Sequence, residues 1–94
     1  MAENKELREI TVRDIPFVVD DDYAQSYAAF RVLRKINSDQ VDAFEKLDLS
    51  FEFIEGATGC DEAQIVELAG GESTPATDVM QFAVEILSAI DTKN

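Results

Sequence analysis

The chain has 94 residues, is 46% apolar and carries a formal net charge of −12. Those figures fit one domain with one core, exclude a disordered chain, and argue against direct binding to nucleic acid or an anionic membrane. No apolar run approaches the ~18 residues of a membrane span, and residues 1–6 hold no apolar signal core, so a cytoplasmic protein is expected. The single cysteine, Cys60, cannot form an internal disulfide, and with no histidine in the chain it has no imidazole to activate it. The charge is uneven: residues 1–46 are net −3 and residues 47–94 are net −9. A basic partner would be steered to the second half.

Residues 1–7 are expected to be disordered. Over 8–19 the apolar period is two, with Ile10 and Val12 on one run and Ile15, Phe17 and Val19 on the next. Arg13-Asp14 lies between them, which predicts a β-hairpin. Pro16 donates no ladder hydrogen bond, so its strand is an edge or begins there. Asp20-Asp21-Asp22 has no calcium-loop pattern around it. Asp22 instead suits a helix cap, with Gln25 three residues on.

The helix this cap opens is expected over 22–36. Its apolar stripe would be Tyr23, Tyr27, Phe30, Leu33 and Ile36, with Ala24, Ala28 and Ala29 allowing close approach. Arg31, Arg34 and Lys35 sit in its second half, where cations suit the helix dipole. After Asn37-Ser38-Asp39, a possible new cap, Val41, Phe44, Leu47, Phe51 and Ile54 keep helical spacing over 39–55 as far as Gly56, a natural stop. Leu49, Phe51 and Phe53 also alternate, which a strand over 49–54 would explain; the longer helical register is preferred. On that register Leu49 and Phe53 fall off the main stripe and form a second apolar surface that needs cover.

A short helix follows over 61–69, ended by Gly70-Gly71. The last helix, 75–91, carries the clearest pattern in the chain. Thr74 can cap it and Pro75 fits its first position. Val79, Phe82, Ala83, Ile86, Leu87 and Ile90 then form one continuous apolar stripe. The expected fold is thus a single, mainly α domain of the α+β class: about four helices behind an N-terminal β-hairpin.

Catalysis is not expected. The chain has no nucleophile elbow, phosphate loop or dinucleotide fingerprint, and its many carboxylates single out no pair. No cofactor or metal is expected. An acyl carrier would need Asp-Ser-Leu at a helix start, whereas this chain has Asp48-Leu49-Ser50.

Three stretches carry a family resemblance. They are the hairpin Ile10-Thr11-Val12-Arg13-Asp14-Ile15-Pro16-Phe17-Val18-Val19 running into Asp20, the helix from Tyr23 to Ile36, and the terminal helix with Asp78-Val79-Met80-Gln81-Phe82-Ala83-Val84-Glu85-Ile86-Leu87. In this order they resemble the small tail assembly chaperones of long-tailed bacteriophages and prophages. The resemblance implies a non-enzymatic protein of the host cytoplasm, absent from the finished virion. Such a protein coats the tape-measure protein, keeps it soluble and recruits tail-tube subunits. Many members are also made in a longer form by programmed frameshifting. The expected contact residues are Ile15, Phe17 and Val19 on the hairpin, Tyr23, Tyr27 and Phe53 beside it, and the basic cluster Arg31, Arg34 and Lys35. That cluster would meet the acidic half of a neighbouring copy. The alternative is an acidic inhibitor, an immunity protein or DNA mimic, that engages a basic partner through the C-terminal half.

Overall fold

The computed structural model describes residues 7–91. The expected disorder of residues 1–6 lies outside that range. Leu7, expected to be disordered with them, instead begins a strand.

Strand β1 (Leu7–Val12) and strand β2 (Ile15–Asp20) form the hairpin. They pair antiparallel, with Val12 opposite Ile15 and Leu7 opposite Asp20. Arg13 and Asp14 make the two-residue turn at φ 54° and 65°. Positive φ at both positions matches the right-handed twist of the strands, and aspartate tolerates it better than most residues. Residues directly opposite each other share a face. Hence Ile10 and Val12 lie with Ile15, Phe17 and Val19 toward the core, and Glu9, Thr11, Pro16 and Val18 lie outward.

Five helices follow in the described residues: α1 (Asp21–Ala24), α2 (Tyr27–Ile36), α3 (Ala43–Thr58), α4 (Glu62–Ala69) and α5 (Ala76–Asp91). The fold is therefore a small helical α+β domain with an N-terminal hairpin, as the periodicity predicts. Helix α5 buries the expected stripe. Phe82, Ala83, Ile86 and Ile90 are buried, and Val79 and Leu87 pack against them. Pro75 lies one residue before the helix, and its carbonyl accepts from the Asp78 N–H at 2.9 Å and the Val79 N–H at 3.3 Å.

Helix α3 is the hub, packing against β2, α1, α2, α4 and α5. It differs from the expected 39–55 at both ends. Asp42 opens it by accepting from the Glu45 N–H at 2.8 Å, while Ser38 spends its hydroxyl on a local turn with Gln40. The cap therefore comes later than Asn37-Ser38-Asp39. Residues 48–54 are helix, and Phe44, expected in the core stripe, is 81% exposed.

Gly56 does not end α3, which runs on to Thr58. Gly59, at φ 80°, is the left-handed residue that stops it. What Gly56 provides is room. A Cβ there would lie 2.3 Å from Cζ of Tyr23, whose ring also packs on Phe53 with centroids 5.8 Å apart. Phe53, expected to be spare apolar surface, is thereby covered within the chain. Burial is also what pushes the Tyr23 phenol above its ordinary pKa, with nearby Glu52 adding to the shift.

Gly56→Ala therefore sets two effects against each other. Alanine favours the helix interior by ~1 kcal/mol, while displacing the Tyr23 ring costs ~1–3 kcal/mol. Net destabilisation is expected by urea unfolding. Putting the same change into Tyr23→Ala should reverse its sign, because the ring that clashes is then gone.

The ends of the described chain are tied together. Arg8 donates from Nε and Nη2 to the carboxylate of buried Asp21 at 3.0 and 3.1 Å, and from Nη2 to the Ile90 carbonyl at 2.8 Å. Asp20 caps α1 by accepting from the Asp22 and Tyr23 N–H groups. The expected assignment of that cap to Asp22 is thus corrected. The three aspartates divide the work: Asp20 caps, Asp21 pairs and Asp22 is exposed.

At the other end of the hairpin, Arg13 forks onto Glu85 at 2.7 and 3.1 Å and lies 4.9 Å over the Phe82 ring. The Arg13 hydrogen bond holds the Glu85 carboxyl below the usual range. Its contribution to stability is present above the ordinary carboxylate pKa and is lost as pH falls through the depressed value.

Candidate interaction surface

The expected single helix 22–36 is two helices, and the break decides which side chains face outward. Ser26 has extended backbone (φ −77°, ψ 162°). Its hydroxyl donates to the Tyr23 carbonyl at 2.7 Å and accepts from the Ala29 N–H at 3.2 Å. One serine thus closes α1 and caps α2, an alternative to continuous helix that its short polar side chain offers.

The break resets the register. Ala29 and Val32 are buried, with Leu33 and Ile36 packed on the core beside them. Tyr27 and Phe30, expected on the inner stripe, are 66% and 54% exposed. Their rings pack together at 6.1 Å, and the Arg34 guanidinium lies 5.6 Å over Phe30. Arg31, Arg34 and Lys35 are all exposed on the same helix. None of the three forms an ion pair with a described carboxylate. An aromatic pair beside arginine is the composition that interface anchors favour.

The other expected contact residues are placed differently. Phe17, Val19 and Phe53 are buried in the core, Ile15 packs against it, and half-buried Tyr23 is engaged with Phe53 and Gly56. Phe17, Val19 and Phe53 spend their side chains on the core, while Ile15 and Tyr23 stay partly exposed. The outward face of the hairpin instead presents Leu7 and Val18.

A second surface comes from the C-terminal half. Helices α3, α4 and the start of α5 frame a groove of about 600 Å³. Leu47, Phe51, Ala63, Val66 and Val79 form its apolar floor, and Glu62, Glu67 and Glu72 stand along it. Asp61 fixes the near wall: its carboxylate accepts from the Gln64 N–H, and the Gln64 side chain accepts from the Asp61 N–H, both at 3.0 Å. At the far end of α4 the Gly71 N–H bonds the Val66 carbonyl at 2.9 Å, turning the chain back toward α5. The excess of acid after residue 46 was the signal for this groove. Its apolar floor was not visible, because it is assembled from three elements.

A second cleft, about 400 Å³, lies beside the Arg8–Asp21 pair and is lined also by Leu33, Ile36, Phe53 and Leu87. Among the described residues, no cluster of histidine, cysteine, aspartate or glutamate is arranged to hold a metal, and no helix is long and apolar enough to cross a membrane. No protein-family model, curated protein or solved structure matches this chain.

Proposed function

We propose that this chain is a non-catalytic assembly chaperone of the long-tailed bacteriophage type, which holds an extended helical client and delivers it to tail assembly. The observation that supports this most directly is the groove of α3, α4 and α5: an apolar floor bordered by Glu62, Glu67 and Glu72. An amphipathic helix with basic flanks would lay its apolar stripe in such a groove, with anchors at helical spacing. The tape-measure protein is the client that the sequence resemblance suggests, with tail-tube protein as the second partner. The −12 charge of the chaperone would keep the complex soluble.

The test is a pull-down of the tagged full chain from cells after prophage induction, with bound proteins identified by mass. Recovery of tape-measure or tail-tube protein supports the reading. Recovery of a single basic nuclease would replace it with the acidic-inhibitor alternative. Ala63 is exposed on the groove floor. Ala63→Glu is therefore expected to weaken client capture at least ~10-fold, the scale of a lost interface anchor, while thermal unfolding stays near that of the parent chain.

A further inference from the structure

The hairpin has two long edges, and they differ in what they offer. Arg13 and Asp14 form a two-residue turn, so Val12 and Ile15 are the first hydrogen-bonded pair, and such pairs alternate along the ladder. Ile10 with Phe17 and Arg8 with Val19 therefore exchange N–H and C=O groups across the hairpin. Leu7, Glu9 and Thr11 on β1, and Pro16, Val18 and Asp20 on β2, turn theirs outward. The outer edge of β2 is blunted: Pro16 has no N–H, and Asp20 is already the cap of α1, which leaves Val18. On β1 three alternate residues present both groups in unbroken register, with no proline, lysine or bulge among them. Among the described residues, none donates to or accepts from those outward groups.

Charge selects the kind of strand that fits this edge. Arg8 and Arg13 are spent inside the fold on Asp21 and Glu85, so Glu9 is the charge left along the edge, with no ion-pair partner among the described residues. A second β1 laid antiparallel in full register would set Glu9 directly across from Glu9, where like charges repel. A strand with lysine or arginine at that position gains instead. Leu7, 62% exposed, and exposed Thr11 share the face of Glu9 and suit apolar and β-branched neighbours.

We infer that β1 is a docking edge for a basic, extended segment of a different protein, which joins the hairpin as a third, antiparallel strand. Main-chain hydrogen bonds to Leu7, Glu9 and Thr11 supply the attraction, and a cation opposite Glu9 supplies the selectivity. The edge shares no residue with the groove of α3, α4 and α5. This inference stands independently of the chaperone reading, since the purified chain and a peptide test it.

The probe is the end-blocked peptide Thr-Val-Lys-Thr-Val, whose lysine falls opposite Glu9 when its final valine lies opposite Leu7. The experiment titrates it into the isotope-labelled full chain and follows amide shifts and amide hydrogen exchange. So short a strand covers little area, and a dissociation constant on the order of 0.1–1 mM is expected. At saturation the Leu7, Glu9 and Thr11 amides should shift and exchange at least ~5-fold more slowly. Glu9→Pro removes one outward N–H without touching the ladder and should weaken binding at least ~10-fold, whereas Val18→Pro, on the opposite edge, should leave it unchanged. Methylating the peptide's lysine amide, which points at β1, should cause the same loss as Glu9→Pro with the chain itself untouched. Glu9→Lys should weaken binding about 5-fold, and a peptide with glutamate in place of lysine should recover it. No response of the three amides at peptide concentrations about tenfold above that range would overturn the inference. So would full binding of the methylated peptide, or loss of binding in a folded Val18→Pro chain. Protection of the same amides by raising the concentration of the chain alone would also overturn it, giving the edge to a second copy.

Discussion

Asp21→Ala is expected to lower unfolding free energy by ~3–5 kcal/mol, the cost of removing one partner from a buried ion pair. Asp21 is 5% exposed, and its carboxylate is gripped by the Arg8 fork. Without it, the guanidinium loses its buried carboxylate partner and keeps the Ile90 carbonyl, in a cleft lined by Leu33, Ile36, Phe53, Leu87 and Asp91. The Ile90 carbonyl that Arg8 also satisfies stands at the end of α5, so the loss is felt in three elements together. A domain of this size has roughly 5–15 kcal/mol in all, and the variant should be largely unfolded well below the parent midpoint. Denaturant unfolding followed by circular dichroism measures this. Changing Arg8→Met and Asp21→Leu together should cost much less than Asp21→Ala, because a buried pair replaced by apolar groups leaves no stranded charge. A loss under ~1 kcal/mol for Asp21→Ala would mean that the pair is effectively solvated.

Phe82→Ala should have an effect of similar size through a different cause. Phe82 is fully buried and is the largest of the completely enclosed side chains. Its ring meets Phe17 of β2 at 6.3 Å and lies under the Arg13 guanidinium. Truncation removes the transfer free energy of the ring and leaves a cavity that the hairpin and α5 cannot both close, ~3–5 kcal/mol in total. The arginine loses its aromatic platform, though its fork onto Glu85 remains. Phe82→Leu fills most of the space and should lose clearly less. Equal losses from the two variants would show that ring shape contributes nothing here.

The parts of the fold legible in the sequence are those whose signal is local. The stripe of α5 needs only helical spacing, and the hairpin needs only a change of period around Arg13-Asp14. The errors arise where one residue serves two elements. Ser26 looks like a tolerable helix position until its hydroxyl is seen bridging the Tyr23 carbonyl and the Ala29 N–H. That bridge turned Tyr27 and Phe30 from expected core into exposed anchors. Gly56 resembles a helix stop, but its missing Cβ serves the ring of Tyr23, thirty-three residues earlier in the chain. Of the expected contact residues, Arg31, Arg34 and Lys35 are accessible because charge and helix position suffice to place them, whereas Tyr27 is accessible only through the break at Ser26. The hairpin residues were misplaced because alternation identifies a face without saying which side is wet.

The hydrogen bond from Arg8 to the Ile90 carbonyl has a consequence for how the chain can be cut. It joins residues 82 apart in sequence, so the first strand and the last turn of the final helix are spatial neighbours. A designed linker of about nine residues joining Asp91 to Leu7 can span up to ~30 Å at ~3.3 Å per residue. The molecule is in that sense nearly a ring, and its opening can be moved. New ends at the exposed Asp39-Gln40 turn, with the old ends fused, should give a chain that reaches the same native structure. The reordered chain would make β1 local in sequence to α5 and separate α2 from α3. The β1–α5 contact, long-range in the parent, would then be local, and refolding should be faster than in the parent if its closure limits the rate.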